Sequence, residues 1–130
     1  MRFHHLGCLV NRIEEAIEQY RQMHGQNLVA SNMYTIKDQQ VRVCFLNITE
    51  NMLLEFVEVD EENKTLGRMM RKGITFYHLG YKVIKIDESI NRLLNDGYRL
   101  VNSFNSEAFE GKKCAFLISP QQHLIELIQA

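Results

Sequence analysis

Two histidines and two glutamates are the residues of this 130-residue chain whose types and spacing could do chemistry. His5 opens the run His5-Leu6-Gly7 and His78 opens His78-Leu79-Gly80. Glu55 lies within Leu53-Leu54-Glu55-Phe56-Val57, and Glu126 within Leu124-Ile125-Glu126-Leu127-Ile128. A carboxylate set among apolar neighbours is costly to bury unless it is paired or bound to a cation. Side chains of a strand alternate between its faces, so Leu54 and Phe56 share one face and Glu55 takes the other. The same alternation turns Glu126 away from Ile125 and Leu127. Two imidazoles and two carboxylates form a mixed nitrogen–oxygen donor set suited to a divalent ion such as Zn, Ni, Co, Mn or Fe. Four protein ligands on an octahedral ion leave two positions for water or a chelating substrate. The competing arrangement is a pair of buried His–Glu salt bridges with no metal. The duplicated placement of the four residues favours the metal.

The duplication extends well beyond those four. His5-Leu6-Gly7-Cys8-Leu9-Val10-Asn11-Arg12-Ile13-Glu14-Glu15-Ala16-Ile17 matches His78-Leu79-Gly80-Tyr81-Lys82-Val83-Ile84-Lys85-Ile86-Asp87-Glu88-Ser89-Ile90 at an offset of 78 − 5 = 73. Phe45-Leu46 and Glu55 match Phe116-Leu117 and Glu126 at an offset of 126 − 55 = 71. A repeat of this kind predicts two copies of one supersecondary unit. The expected organisation is a single domain over residues 1–130, with modules at 1–60 and 74–130 and a charged linker at 61–73. The linker should carry a short helix around Thr65 to Arg71. Its Arg68, Arg71 and Lys72 form a solvated face rather than an anion site.

Each module must place its histidine on a first strand and its glutamate on a last one. Phe3 to Val10 is apolar and strand-prone. Asn11, with Glu14 three residues on, resembles a capping box opening a helix whose stripe is Ile13, Ile17 and Tyr20 and whose end is Gly25. In the second module Asp87 is the expected cap, Ile86, Ile90, Leu93 and Leu94 the stripe, and Gly97 the end. Strands are predicted at about 28–36, 40–48 and 52–59, then at about 98–104, 112–118 and 123–129. Each half therefore reads βαβββ. If a pseudo-twofold axis relates the halves, the four site residues converge near it.

Composition bounds the rest. Fifteen Lys+Arg against sixteen Asp+Glu give a formal charge of −1, with no basic block, which argues against nucleic acid as a partner. No apolar run is long enough to span a bilayer, and the N-terminus carries no export signal, so the expected compartment is cytoplasmic. Cys8, Cys44 and Cys114 are odd in number and widely spaced, and read as small buried hydrophobes. His4 and His123 lie on strand faces opposite to His5 and Glu126, and His24 falls at a helix C-terminus. All three are expected to be structural or solvated. Asp38 reads as a hairpin-turn carboxylate.

The tandem βαβββ pattern, with His-Leu-Gly opening each half and apolar-Glu-apolar closing each, resembles the vicinal oxygen chelate superfamily. That group includes glyoxalase I, methylmalonyl-CoA epimerase, fosfomycin and bleomycin resistance proteins and extradiol dioxygenases. The resemblance implies an α+β fold: an eight-stranded mixed sheet curved into a cup, with helices outside. It implies metal ligands at His5, Glu55, His78 and Glu126. It further implies a metal-dependent epimerase or isomerase working by α-proton abstraction and return, with Glu126 the favoured base and Glu55 the other catalytic carboxylate. The divalent cofactor would be Zn, Ni, Co or Mn, the substrate an acyl-CoA thioester or α-oxo compound, and the assembly a homodimer, with no nucleic acid or membrane partner. Gln40 to Leu46, Phe76 to Val83 and Gly111 to Leu117 look most like methylmalonyl-CoA epimerases. Glu55, where epimerases often carry Gln, is closer to glyoxalase I. Lactoylglutathione lyase is therefore the enzymatic alternative, and a non-catalytic small-molecule or antibiotic binder the other.

Overall fold

Alternating and helical periodicities along this chain resolve into eight strands and three α-helices. A computed structural model describes residues 1–130. In chain order the elements are β1 (Arg2–Val10), α1 (Ile13–His24), β2 (Tyr34–Ile36), β3 (Val41–Thr49), β4 (Met52–Val59), α2 (Lys64–Arg71), β5 (Phe76–Val83), α3 (Ile86–Asn95), β6 (Arg99–Ser106), β7 (Lys112–Ile118) and β8 (Leu124–Gln129). The order βαβββ thus occurs twice, with α2 between the copies. The class is α+β, and the strand pairing is mixed.

The chain divides into two compact units, one of residues 6–77 and one of residues 1–5 with 78–130. In the first, β2 pairs with β3 and β3 with β4, both antiparallel. In the second, β6 pairs with β7 and β7 with β8 antiparallel, while β5 runs parallel to β8.

Each unit has its own core, and each core follows from the predicted stripe, except that Leu94 of α3 is exposed. Ile13, Ala16 and Ile17 of α1 pack on Cys8, Cys44, Leu46, Leu54 and Phe56. Ile86, Ile90 and Leu93 of α3 pack on Val83, Ala115, Leu117 and Leu127. Leu54 and Phe56, and likewise Leu127, take the helix side of their strands, which commits Glu55 and Glu126 to the other face. All three cysteines are buried.

The helix starts differ from expectation. Neither Asn11 nor Asp87 caps: the N-cap positions are Arg12 and Lys85, neither with a side-chain cap. The last strand of each unit supplies the acceptor instead. Ile13 N donates to Glu58 Oε1 at 3.1 Å, and Ile86 N donates to Gln129 Oε1 at 3.0 Å. Glu58 and Gln129 are 129 − 58 = 71 apart, the offset of the repeated strands. Glu14, the supposed capping-box partner, instead reaches Arg42 at 3.0 Å, and Arg42 also binds Glu58 at 2.8 Å. Asp87 lies in the first turn of α3 and pairs with Lys113.

Strand β2 is also shorter than predicted. Ser31 sits where the ladder would continue, and its hydroxyl accepts from Phe45 N at 2.9 Å. Its own N–H donates to Phe45 O at 2.8 Å. A serine side chain that replaces a main-chain acceptor offers the backbone an alternative to regular pairing. The linker forms α2 as expected, capped by Asn63, whose Oδ1 accepts from Leu66 N at 3.1 Å. Arg68, Arg71 and Lys72 are exposed.

Candidate metal centre

Three of the four predicted site residues belong to the unit of residues 1–5 and 78–130. His5 is carried by β1, His78 by β5 and Glu126 by β8. Parallel pairing of β5 with β8 sets Gly80 opposite Glu126, two residues past His78 and so on the same strand face. His5 is 0 % exposed, His78 4 % and Glu126 4 %.

Their polar atoms point at one another. His5 Nε2 is 2.9 Å from His78 Nε2. Glu126 Oε1 is 3.3 Å from His5 Nε2 and 3.5 Å from His78 Nε2. The ligating atoms of the three residues all lie within 4.8 Å of one another. Two imidazole nitrogens this close cannot both present bare lone pairs: either one carries the proton and donates it to the other, or a metal ion lies between them. The spacing fits a metal. Ligands about 2.1 Å from a divalent ion lie about 3.0 Å apart at right angles and about 3.4 Å apart at the tetrahedral angle.

The surroundings hold the rings in this pose. Gly80 is what lets His5 lie there: a Cβ built on it would fall within 2.6 Å of three His5 ring atoms. Phe109 stacks on the His5 ring at 6.2 Å, and Phe116 meets His78 edge-on at 5.2 Å. Phe116 also faces Glu126 across the β7–β8 ladder. Burial alone would push the Glu126 carboxyl up, but its contacts with the two imidazoles hold it down, at about 2. The two imidazoles thus favour its charged form.

Glu55 occupies the matching place in the other unit. It lies at the centre of β4, faces Phe45 on β3 as Glu126 faces Phe116, and is 4 % exposed. Its charge, added to a larger effect of burial, raises the neighbouring Cys8 thiol to about 11.

Sequence reading missed two contributors. Gly80 stood out only as part of the repeat. His4, expected to be structural or solvated, has its Nδ1 2.9 Å from His5 Nδ1 and its ring edge-on to Phe109 at 5.5 Å. Nδ1 adjoins the ring's attachment to Cβ, near the main chain, where successive side chains of a strand are still close together. Burial, helped by the charge of His5, Lys82 and Arg2, lowers His4 to about 4, so it is neutral near pH 7. His24 and His123 are exposed, as is Asp38 in a 3-10 turn after β2. No helix is long and apolar enough to cross a membrane.

The repeated fold and the buried His/Glu cluster define a protein of the glyoxalase type. The family model of the Glyoxalase/Bleomycin resistance protein/Dioxygenase superfamily matches residues 4–116, and the chain belongs to that family. Over 132 residues it is 26 % identical to the uncharacterized protein YqjC of Bacillus subtilis (strain 168), covering 98 % of this chain and 91 % of YqjC. Two methylmalonyl-CoA epimerases share its fold. The enzyme from Mycobacterium tuberculosis superposes with a TM-score of 0.79 at 22 % identity, over 98 % of this chain and 87 % of that one. A variant of the Streptomyces coelicolor enzyme, in complex with 2-nitronate-propionyl-CoA, superposes with a TM-score of 0.82 at 21 % identity, over 100 % and 97 %.

Proposed function

We propose that this protein is a divalent-metal-dependent epimerase or isomerase acting on the α-carbon of a small acyl thioester. The convergence of His5 Nε2, His78 Nε2 and Glu126 Oε1 in a buried cluster carries the reading. Glu55, buried at the equivalent point of the other module, is the proposed fourth ligand. The epimerase fold shared with the two solved enzymes supports the choice of substrate class.

When bound, the ion supplies Lewis acidity to the thioester and carboxylate oxygens, which eases removal of the α-proton. The protein's own residues do the rest. His5 and His78 act as neutral donors through Nε2. Glu126 is the favoured acceptor of the α-proton, with Glu55 the second carboxylate able to return one. Return to the opposite face of the same carbon inverts it. Burial of the cluster keeps bulk water from competing for the proton in transit.

The test is deuterium incorporation into methylmalonyl-CoA in heavy water, with the protein loaded in turn with nickel, cobalt, manganese and zinc. Loss of the α-proton resonance is the expected result. Absence of exchange with every acyl-CoA offered would remove the epimerase reading, and turnover of a glutathione hemithioacetal in the same samples would replace it with the lyase. Metal content after repletion should reach one ion per chain; a sub-stoichiometric value would leave only the salt-bridged arrangement.

A further inference from the structure

We infer that His4 is a positioning residue for the metal centre: its Nδ1 accepts a hydrogen bond from His5 Nδ1–H and thereby turns the lone pair of His5 Nε2 toward the ion. This rests on the metal reading above and adds a residue to it.

A neutral imidazole carries one proton, and only the tautomer protonated at Nδ1 leaves Nε2 free to ligate. His5 is wholly buried, so its Nδ1–H must meet an acceptor inside the protein. His4 Nδ1 stands 2.9 Å away. The opposite polarity, with His4 donating, would place the His5 proton on Nε2, 2.9 Å from His78 Nε2 and 3.3 Å from Glu126 Oε1, where it would block a metal. A protein that binds metal through His5 therefore needs His4 in the form protonated at Nε2 and accepting at Nδ1.

The rest of the cradle agrees. Phe109 contacts both rings, edge-on to His4 and stacked on His5, and Gly80 leaves the room that His5 fills. These fix where the His5 ring lies, but hydrocarbon and backbone Cα cannot choose which nitrogen holds the proton. His4 makes that choice. Partners of this kind contribute roughly 10–100-fold to metal affinity where they have been removed.

Two variants separate the hydrogen bond from the packing. Asn in His4→Asn sets its Oδ1 where His4 Nδ1 lies and still accepts. His4→Phe keeps an aromatic ring against Phe109 but accepts nothing. Zinc affinity by chelator competition should be near the parent value in His4→Asn and fall about 10–100-fold in His4→Phe. Equal affinity in His4→Phe and the parent would overturn the proposal, as would equal losses in both variants. The parent protein gives a readout that does not depend on the variants folding. A nitrogen–nitrogen coupling across the hydrogen bond, linking His4 Nδ1 to a protonated His5 Nδ1, is expected in its ¹⁵N spectrum. His5 protonated at Nε2 in the zinc-free and zinc-treated protein alike would refute the assignment. Failure of the parent to retain zinc would strike at the metal reading alone, because the coupling is also read without metal.

Discussion

The imidazole of His5 occupies the space a side chain would need at Gly80: a Cβ there falls within 2.6 Å of three ring atoms. The glycine of the second His-Leu-Gly thus serves the histidine of the first. No hydrogen-bonding partner could do the same, since only the absence of a side chain gives this much room. Gly80→Ala must push the His5 ring out of its place. The expected result is a loss of at least about tenfold in zinc affinity, with destabilisation of about 1–3 kcal/mol. Competition titration and urea unfolding on the same protein measure both. Unchanged affinity would show that the ring can find another seat.

Glu126→Gln keeps the shape of the side chain but removes its charge, and with it the attraction that holds the carboxyl near 2. Metal affinity should fall at least about tenfold, and deuterium exchange into acyl-CoA should fall below detection. Glu55→Gln provides the comparison. If Glu126 is the base, Glu55→Gln retains measurable exchange once its metal is restored by excess ion.

Gln129 caps α3 from the end of β8, and its loss should be felt in stability rather than in the site. Gln129→Ala orphans Ile86 N–H and is expected to cost about 1–2 kcal/mol in urea unfolding. Zinc affinity should match the parent. A change in affinity would mean that the start of α3 and the cluster move together.

Cys8 links alkaline stability to the buried face of β1. Its thiol ionises near 9.0 in the unfolded chain and near 11 in the fold, because burial and then Glu55 oppose the thiolate. A raised acid constant means that the folded state keeps a proton the unfolded state gives up. This contribution is fully present below pH 9 and is lost as pH rises toward 11, amounting to about 2 kcal/mol at the upper end. Between pH 9 and 11 the urea midpoint should therefore fall more steeply in the parent than in Cys8→Ala. Cys8 should also resist alkylation at pH 8 in the native protein.

How much of this was legible in sequence depends on the range of the interaction concerned. Strand alternation and the helical stripes are local, and they put Leu54, Phe56 and Leu127 on the helix side and Glu55 and Glu126 on the other. The offsets of 73 and 71 between the copies single out His5, His78, Glu55 and Glu126 from the chain alone. The caps were misread because Asn11 and Asp87 satisfy a local rule, whereas the acceptors used, Glu58 and Gln129, come from strands 45 and 43 residues away. Strand β2 was overextended because alternation says nothing of Ser31 bonding to Phe45.

The sequence by itself determined the repeated βαβββ order, the apolar faces and the residue types available for chemistry, since all of these follow from neighbours along the chain. Only the tertiary structure decided that His5 Nε2 stands 2.9 Å from His78 Nε2, that Gly80 makes the room, and that His4 turns its ring edge to His5. Those depend on which strands lie side by side and on the rotamers that burial then leaves open. Periodicity names the face a side chain takes, but only packing fixes which of its atoms meets another.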